Sequence, residues 1–192
     1  MTRKHSKNSK GKLVIISGPS GAGKSSVVKE LLKKPDTVLS VSATTRPQRE
    51  GESDSVHYHF ISHEEFERLV EKDWFAEHFE VYSNYYGTPR RPLEEAIAGG
   101  MTYLLDVDVQ GAQRMKEEYP DAISIFILPF DIETLEERLR GRQTDDESVI
   151  KERLDSAKME IERHGEFDHR VVNDDLERVV KEIELILEEH RG

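Results

Sequence analysis

The feature that most limits the fold is a glycine-rich segment between a predicted strand and a predicted helix. The apolar run Leu13–Ser17 predicts a buried strand, and the pattern after Gly23 predicts a helix. The junction matches G-x-x-x-x-G-K-[ST] at Gly18, Gly23, Lys24 and Ser25. The match therefore has the strand-to-helix context that this motif requires.

The glycine-rich segment predicts a cradle for the phosphates of a nucleoside triphosphate. Glycines let backbone N–H groups converge on anionic oxygens without a Cβ in the way. Lys24 can place its charge on the β- and γ-phosphates, the Ser25 hydroxyl can ligate Mg²⁺, and the helix dipole favours anions. The cradle residues are Gly18, Pro19, Ser20, Gly21, Ala22, Gly23, Lys24 and Ser25. GTPases, motor ATPases and small-molecule kinases share this motif, so it does not fix the function by itself.

From Lys12 onward, short β-branched runs alternate with longer amphipathic stretches, which predicts βα units on a parallel sheet and an α/β fold class. The predicted strands are Leu13–Ser17, Leu39–Ala43, Tyr103–Val107, Ala122–Leu128 and Arg170–Val172, with helices after Gly23, Val109, Asp131, Glu147 and Leu176. Between Ser42 and Pro92 alternating aromatic-rich segments predict a small antiparallel insertion. Within it, Ser62 and Glu65 form a capping-box signature for a helix through about Lys72.

These patterns divide the chain into a tail, a core, an insertion and a lid. The tail has basic residues but no hydrophobic periodicity to dock it, so we expect it to be disordered. The lid consists of two predicted helices joined by a polar hinge. The predicted boundaries are 1–11 for the tail, 12–192 for the domain, 12–41 and 93–192 for its core, about 42–92 for the insertion and about 131–160 for the lid.

The composition argues against several classes of function. The sequence has 39 acidic and 28 basic side chains, and this net charge of -11 works against a nucleic-acid-binding surface. It has no cysteine, which excludes disulfides and thiolate metal sites and fits a reducing cytoplasm. Apolar runs such as Ile123–Leu128 are far shorter than the roughly 20 residues that span a bilayer. We therefore expect a soluble, cytoplasmic protein with neither nucleic acid nor membrane as partner.

Two arginines after a predicted strand form a second candidate anion site. Arg46 and Arg49 are three residues apart, and Pro47 between them limits flexibility. Guanidinium groups bind phosphate bidentately, so the pair suits a phosphate monoester. Taken alone, such a pair is more often part of a solvated loop, and that alternative stays open.

Four motifs together resemble the guanylate kinase family, and a fifth segment adds to the likeness. The segments are Gly18–Ser25, Ser42–Glu52, Asn84–Thr88, Leu105–Gly111 and Val172–Asp175, and the likeness covers residues 12–190. The resemblance implies an ATP:GMP phosphotransferase that uses Mg²⁺. It also implies a parallel-sheet P-loop kinase core, a small antiparallel GMP-binding insertion and a helical lid.

The resemblance further implies roles for individual residues. Those of the GMP site are Arg46, Arg49, Tyr58 and Tyr86 at the phosphate, Ser42, Glu77 and Thr88 at guanine, and Gly87, Asp106 and Asp108 nearby. Guanine can pair with the Glu77 carboxylate and with the hydroxyls of Ser42 and Thr88. Adenine would leave Glu77 without a partner, so the site should reject it. Asp106 and Asp108 alternate at a predicted strand end, and we expect them to face opposite ways, with only one pointing straight into the cleft. Asn173 is implied to lie near the ATP adenine, although a turn-forming role fits equally well.

The predicted lid carries three arginines. Arg138 and Arg142 are four residues apart on one predicted helix, and Arg153 lies on the next. The resemblance implies that they close over the phosphates and are catalytic together with Lys24 and Arg46. Phosphoryl transfer needs alignment and positive charge rather than a general base. A solvated face with ion pairs is the alternative for each lid arginine.

Three positions depart from the family pattern: His57 replaces a usual aspartate, His78 a common tryptophan and Gln143 a typical glycine. One rival function is a kinase for AMP, UMP or an alcohol, against which Glu77 argues together with Thr88. The other is a non-catalytic phosphopeptide-binding module, against which Lys24 and Ser25 argue. The sequence leaves open whether dGMP is accepted beside GMP, and whether the chain is a monomer or a homodimer.

Overall fold

The computed structural model describes residues 11–81, 83–140 and 147–190, so nearly all of the predicted tail lies outside the described residues. Strands and helices alternate along most of the described chain. In order they are β1 (Lys12–Ser17), α1 (Lys24–Leu31), β2 (Thr37–Leu39), β3 (Ala43–Thr44), β4 (His59–Phe60), α2 (His63–Glu71), β5 (Phe75–Val81), β6 (Asn84–Pro89), α3 (Arg90–Ala98), β7 (Thr102–Asp106), α4 (Val109–Glu118), β8 (Ile123–Pro129), α5 (Ile132–Arg140), α6 (Glu147–Glu162), β9 (His169–Asn173) and α7 (Leu176–Glu189).

A parallel sheet in the order β2-β7-β1-β8-β9 forms the centre of the fold. On β1, Val14 and Ile16 pack into an apolar cluster with residues of α1 and α7. The intervening Leu13 and Ile15 pack on the other face with residues of α3 and α4. Because both faces are covered, β1 is apolar from Leu13 to Ile16, as buried parallel strands are. The predicted α/β class is confirmed.

A second, smaller sheet has the order β4-β3-β6-β5. Its β3–β6 and β5–β6 pairs are antiparallel, whereas β3 and β4 pair in parallel. Helix α2 covers it through Phe66, whose ring stacks on Phe75 at 4.4 Å and on Tyr85 at 5.3 Å between centroids. The Ser62 hydroxyl accepts the backbone N–H of Glu65 at 3.1 Å, so the predicted capping residue of this helix is confirmed.

Two local predictions in this region need correction. The run Leu39–Ala43 is not one strand, because β2 ends at Leu39 in the central sheet and β3 begins at Ala43 in the second sheet. The sequence of this run favours extended backbone but does not show which sheet each part joins. Helix α3 was not predicted, and it holds Pro92 in its first turn. Proline is tolerated there because first-turn N–H groups have no partner within the helix.

Helices α5 and α6 share a small apolar cluster of their own. It consists of Leu135, Leu139, Ile150, Leu154 and Ala157. This cluster is separate from the two that cover the central sheet, so the helix pair has its own packing. No helix within the described ranges is long and apolar enough to cross a membrane.

Candidate active site

One cavity of about 990 Å³ lies where the central sheet meets the second sheet. It opens beyond the carboxyl ends of β1 and β7, the edge at which parallel sheets bind ligands. Its walls come from the glycine-rich segment, the second sheet, the β7–α4 connection, helices α5 and α6, and the segment after β9. The sequence-predicted residues that line it are Gly18, Pro19, Ser20, Gly21, Gly23, Lys24, Ser25, Ser42, Tyr58, Glu77, Tyr86, Gly87, Asp106, Asp108, Arg138 and Asn173.

The glycine-rich segment turns through backbone conformations that favour glycine. Gly18 has φ +140° and Gly23, which precedes α1, has φ +90°. A Cβ on Gly18 would lie 2.3 Å from the carbonyl oxygen of Ile127, and one on Gly23 would lie 2.2 Å from the amide nitrogen of Asn173. The tight turn therefore places the N-terminus of α1, where the helix dipole favours anions, at the cavity wall.

Lys24 is the first residue of α1 and holds the glycine-rich segment together. Its Nζ donates to the carbonyl oxygens of Gly18 at 2.5 Å and Pro19 at 3.2 Å. Burial raises the pKa of the nearby Asp106 carboxyl, and the positive charge of Lys24 opposes that rise. The lysine thus brings an ammonium group to the cavity beside a row of backbone donors.

Glu77 and Thr88 form a buried polar pair on the opposite wall. The Thr88 hydroxyl donates to Glu77 Oε1 at 2.7 Å, and the two residues are 0% and 8% exposed, respectively. Glu77 Oε2 is buried and has no hydrogen-bond partner among the described residues. Burial raises the pKa of Glu77 to about 7, against the Thr88 hydrogen bond and the charge of Arg114, while the charge of Asp108 adds to the rise. A buried acceptor without a partner costs free energy that a donor on a ligand would recover.

Arg46 is not part of the cavity wall and forms an ion pair with the Glu52 carboxylate. Its Nη1 and Nη2 donate to Glu52 Oε2 at 3.0 Å and to Glu52 Oε1 at 2.8 Å. The guanidinium carbon lies 5.5 Å from the ring centroid of Tyr58 and 5.7 Å from that of Phe60. This two-pronged pairing is the geometry that a guanidinium also adopts with phosphate.

The structure does not bring Arg49 into the cavity. Its backbone N–H donates to Glu52 Oε2 at 2.8 Å, but the residue is exposed and is not part of the cavity wall. Tyr58 and Tyr86 do line the wall, with their ring centroids 6.1 Å apart. The predicted pair of arginines is therefore split, with Arg46 next to the tyrosines and Arg49 on the outer surface.

Asp106 and Asp108 both line the cavity, so the expectation that only one of them faces it is wrong. Asp106 is the last residue of β7. Asp108 precedes α4 and accepts the backbone N–H of Gly111 at 2.8 Å. Side chains two residues apart on extended backbone point to the same side, which is why both carboxyls reach the cavity.

Three residues from the C-terminal third of the chain bond to the glycine-rich segment. Asn173 donates from Nδ2 to the carbonyl of Ala22 at 2.6 Å. Arg138 donates to the carbonyl of Gly21 at 3.2 Å. Arg153 donates to the Ser20 hydroxyl at 3.0 Å. Arg142 and Gln143 lie outside the described residues.

Comparison with known proteins decides the family. A family model described as guanylate kinase matches residues 10–190 of this chain. The chain belongs to the guanylate kinase family. Guanylate kinases are ATP:GMP phosphotransferases, and the function of this chain is that of a guanylate kinase.

Relatives and a solved structure agree with the family match. The chain is 47% identical over 179 residues to the guanylate kinase of Carboxydothermus hydrogenoformans, covering 93% of this chain and 88% of that one. It is 45% identical over 184 residues to the guanylate kinase of Escherichia coli strain K12, covering 94% of this chain and 89% of that one. The crystal structure of guanylate kinase from Anaplasma phagocytophilum superposes with a TM-score of 0.77 at 36% identity, covering 95% of this chain and 87% of the other.

Sequence reasoning missed several residues of this guanylate kinase cavity. They are Ser26, Phe79, Val107, Glu160, Asp174 and Leu176. Glu160 lies on α6, where burial raises the pKa of its carboxyl and the charge of Lys24 opposes the rise. Glu160 is distant from Lys24 in the chain, and nothing in its local sequence marks it as facing the cavity.

Two of the departures from the guanylate kinase pattern lie in described segments. His57 accepts the backbone N–H of Ser53 on its Nδ1 at 2.9 Å, so a ring nitrogen closes the turn before Tyr58. His78 is exposed on β5, and its ring lies 6.2 Å from that of Phe66. Neither imidazole lines the cavity.

Proposed function

We propose that this guanylate kinase binds ATP and GMP at opposite ends of the one cavity and transfers the γ-phosphoryl group between them in line. The observation that carries the proposal is that a single cavity of about 990 Å³ joins the glycine-rich cradle to the buried Glu77–Thr88 pair. This volume is at the upper end of the range for ligand pockets, as two nucleotides require.

On the donor side, we assign the ATP phosphates to the segment from Gly18 to Ser25. The Lys24 ammonium exchanges its carbonyl partners for the β- and γ-phosphate oxygens, because a charged acceptor makes a stronger hydrogen bond. Arg138 and Arg153, which already touch this segment, add positive charge where the transferring oxygens become more negative. We assign Arg142 the same role from the sequence, and Asn173 the edge of the adenine.

On the acceptor side, we assign guanine to Ser42, Glu77 and Thr88. The unpartnered Glu77 Oε2 accepts from guanine, whose N1–H and exocyclic amine both donate. Arg46 holds the GMP phosphate with Tyr58 and Tyr86, and Arg49 joins them by turning inward from the surface. Gly87, Asp106 and Asp108 complete the wall on this side.

The chemical step needs no proton transfer to start it. An ionised phosphate oxygen of GMP attacks the γ-phosphorus of ATP, and the bond from that phosphorus to the bridging oxygen of ADP breaks. The products are GDP and ADP. The residues contribute alignment and electrostatic stabilisation, which are the main terms in phosphoryl transfer. Helices α5 and α6 exclude water, which would otherwise accept the phosphoryl group.

The oxygen groups at the cavity fit Mg²⁺. The Ser25 hydroxyl and the Asp106 and Asp108 carboxyls all line it, and such hard oxygen ligands suit this ion. Among the described residues, no three carboxylate or histidine groups converge on a metal-binding point. Mg²⁺ is usually bound through one or two protein oxygens, with phosphate oxygens and water at its other positions, and these oxygen groups supply enough ligands for it. When bound, Mg²⁺ neutralises and orients the phosphate oxygens of ATP.

An acceptor panel tests the function against a kinase for another nucleotide. GMP, dGMP, AMP, UMP and CMP are offered at equal concentration in a coupled assay with ATP, once with Mg²⁺ and once with EDTA. We expect kcat/KM for GMP to exceed that for AMP by about 10⁴-fold, because adenine would leave the Glu77 carboxylate unpaired. Faster turnover of AMP than of GMP would contradict the specificity, and absence of turnover would favour a phosphopeptide-binding module.

We expect GMP to bind more weakly below neutral pH. Because the pKa of Glu77 is raised to about 7, its carboxyl takes up a proton as the pH falls and then loses an acceptor for guanine. Only the fraction of protein with an ionised Glu77 is competent to bind GMP. This fraction falls as the pH falls, so we expect the Kd for GMP to be about fourfold higher at pH 6.5 than at pH 8.5. Calorimetric titration over this range measures the effect while the GMP phosphate is mostly dianionic. ATP binding in the same buffers is the control, and an equal pH dependence for both nucleotides would contradict the assignment.

The cytoplasmic location and the choice between monomer and homodimer stay predictions. ATP and GMP, with dGMP as a further acceptor to test, are the partners that we propose.

A further inference from the structure

Helix α4 packs closely against strand β5, which carries Glu77. A Cβ on Gly111 of α4 would lie 3.1 Å and 3.2 Å from two ring atoms of Phe79, so glycine lets the helix approach this ring. Phe79 lines the cavity two residues after Glu77, and side chains with this spacing share one face of a strand. Any group on α4 next to Phe79 therefore also lies close to the guanine site.

Arg114, one turn further along α4, holds the same part of β5. Its Nη1 donates to the carbonyl oxygen of His78 at 3.2 Å. Its guanidinium carbon lies 5.8 Å from the centroid of the Phe79 ring. Arg114 thus contacts the two residues that directly follow Glu77. These contacts limit the rotation of the strand that sets the direction of the Glu77 side chain.

The charges around Glu77 give Arg114 a second effect. From β6, Thr88 donates a hydrogen bond to the carboxyl. Arg114 on α4 favours the ionised form of Glu77 through its positive charge. Asp108, the residue before α4, disfavours that form through its negative charge. Arg114 is the cation in this set, so its removal leaves the burial of the carboxylate opposed by the Thr88 hydrogen bonds alone.

We propose that Arg114 is a positioning residue of the guanine site, which fixes β5 on α4 and supplies a positive charge on the side of β5 that carries Glu77. Arg114 does not line the cavity, so we infer that it acts through Glu77. The inference rests on the proposed role of Glu77 as the guanine acceptor.

Two variants of Arg114 keep a hydrogen-bond donor and differ in charge. Arg114→Gln keeps a donor for the His78 carbonyl and removes the charge, whereas Arg114→Lys keeps the charge. Arg91→Gln, on the exposed face of α3, is the matched control because that arginine pairs with Glu95 away from the cavity. Each variant is measured for kcat and for the KM of GMP and ATP from pH 6 to 8.5. The ionisation of Glu77 is followed separately by NMR in nucleotide-free protein.

For Arg114→Gln we expect the Glu77 titration to move upward by about half a pH unit, a size typical of one partly screened charge. The KM for GMP at pH 6.5 should rise about threefold, with kcat and the KM for ATP within twofold of the parent. Arg114→Lys should restore the Glu77 titration to its parental midpoint.

The two readouts distinguish this inference from the proposed function. An Arg114→Gln protein whose Glu77 titrates as in Arg91→Gln overturns the role of Arg114. A shifted Glu77 titration with no change in the pH dependence of GMP binding supports the effect of the Arg114 charge on Glu77, and it overturns Glu77 as the guanine acceptor. A general loss of stability is detected by thermal melting, and an equal rise in the KM of both nucleotides also contradicts the proposal.

Discussion

Changing Glu77 to glutamine is expected to lower kcat/KM for GMP about 10³-fold, because the site would lose its charged acceptor. A glutamine amide has one acceptor and one donor group, and the donor would meet a donor on guanine. The Thr88 hydroxyl can still donate to the remaining side-chain oxygen, as it does to Glu77 Oε1 at 2.7 Å. The fold should therefore survive, and the loss should fall on GMP recognition. Steady-state kinetics with GMP varied at saturating ATP measure it.

Glu80→Gln is the matched control for this variant. Glu80 lies on the same strand but is exposed and does not line the cavity. It should leave kcat/KM for GMP within twofold of the parent. If Glu77→Gln kept more than a tenth of the parental kcat/KM for GMP, another residue would have to recognise guanine.

Changing Lys24 to alanine is expected to lower kcat on the order of 10³-fold, a size typical of removing a cation that stabilises transferring phosphate oxygens. The KM for ATP should rise as well, because Lys24 would hold the β- and γ-phosphates in the ground state. The KM for GMP should change little, since guanine is recognised on the other wall. Single-turnover transfer from labelled ATP measures the chemical step directly.

The control for the lysine variant lies on the same helix. Lys29 is exposed in the last turn of α1, away from the cavity, so Lys29→Ala should keep parental kinetics. The Lys24 side chain also bonds the carbonyls of Gly18 and Pro19, so thermal melting of both variants checks that the segment stays folded. A well-folded Lys24→Ala protein with kcat within tenfold of the parent would contradict the role of this lysine.

The strand, turn and helix around the glycine-rich segment could be predicted because the information for them is local. Gly18, Gly23, Lys24 and Ser25 lie within eight residues, and the glycines are needed by the turn itself. The capping interaction of Ser62 with Glu65 is local in the same way. Where a few neighbouring residues determine both the conformation and the chemistry of a segment, their sequence pattern is enough to predict it.

The parts that depend on distant segments could not be predicted in this way. The chain leaves the central sheet after β2 and enters the second sheet at β3. This change depends on the strands that each one pairs with, and the residues between Leu39 and Ala43 do not encode it. Glu160 faces the cavity because α6 packs on α5 through side chains such as Leu135 and Leu154. Arg114 reaches β5 only because Gly111 allows the helix to lie against the Phe79 ring.

Arg46, which we assign to the GMP phosphate, is already paired with a carboxylate from its own loop. Since Glu52 is tethered six residues from Arg46, it competes with incoming anions as if present at a high local concentration. A small free anion such as inorganic phosphate must displace it with no other attachment to the protein. A nucleotide offsets the same competition through contacts made elsewhere by its base. If Arg46 holds the GMP phosphate as we propose, the loop favours GMP over the many simple phosphates that share the solution with it.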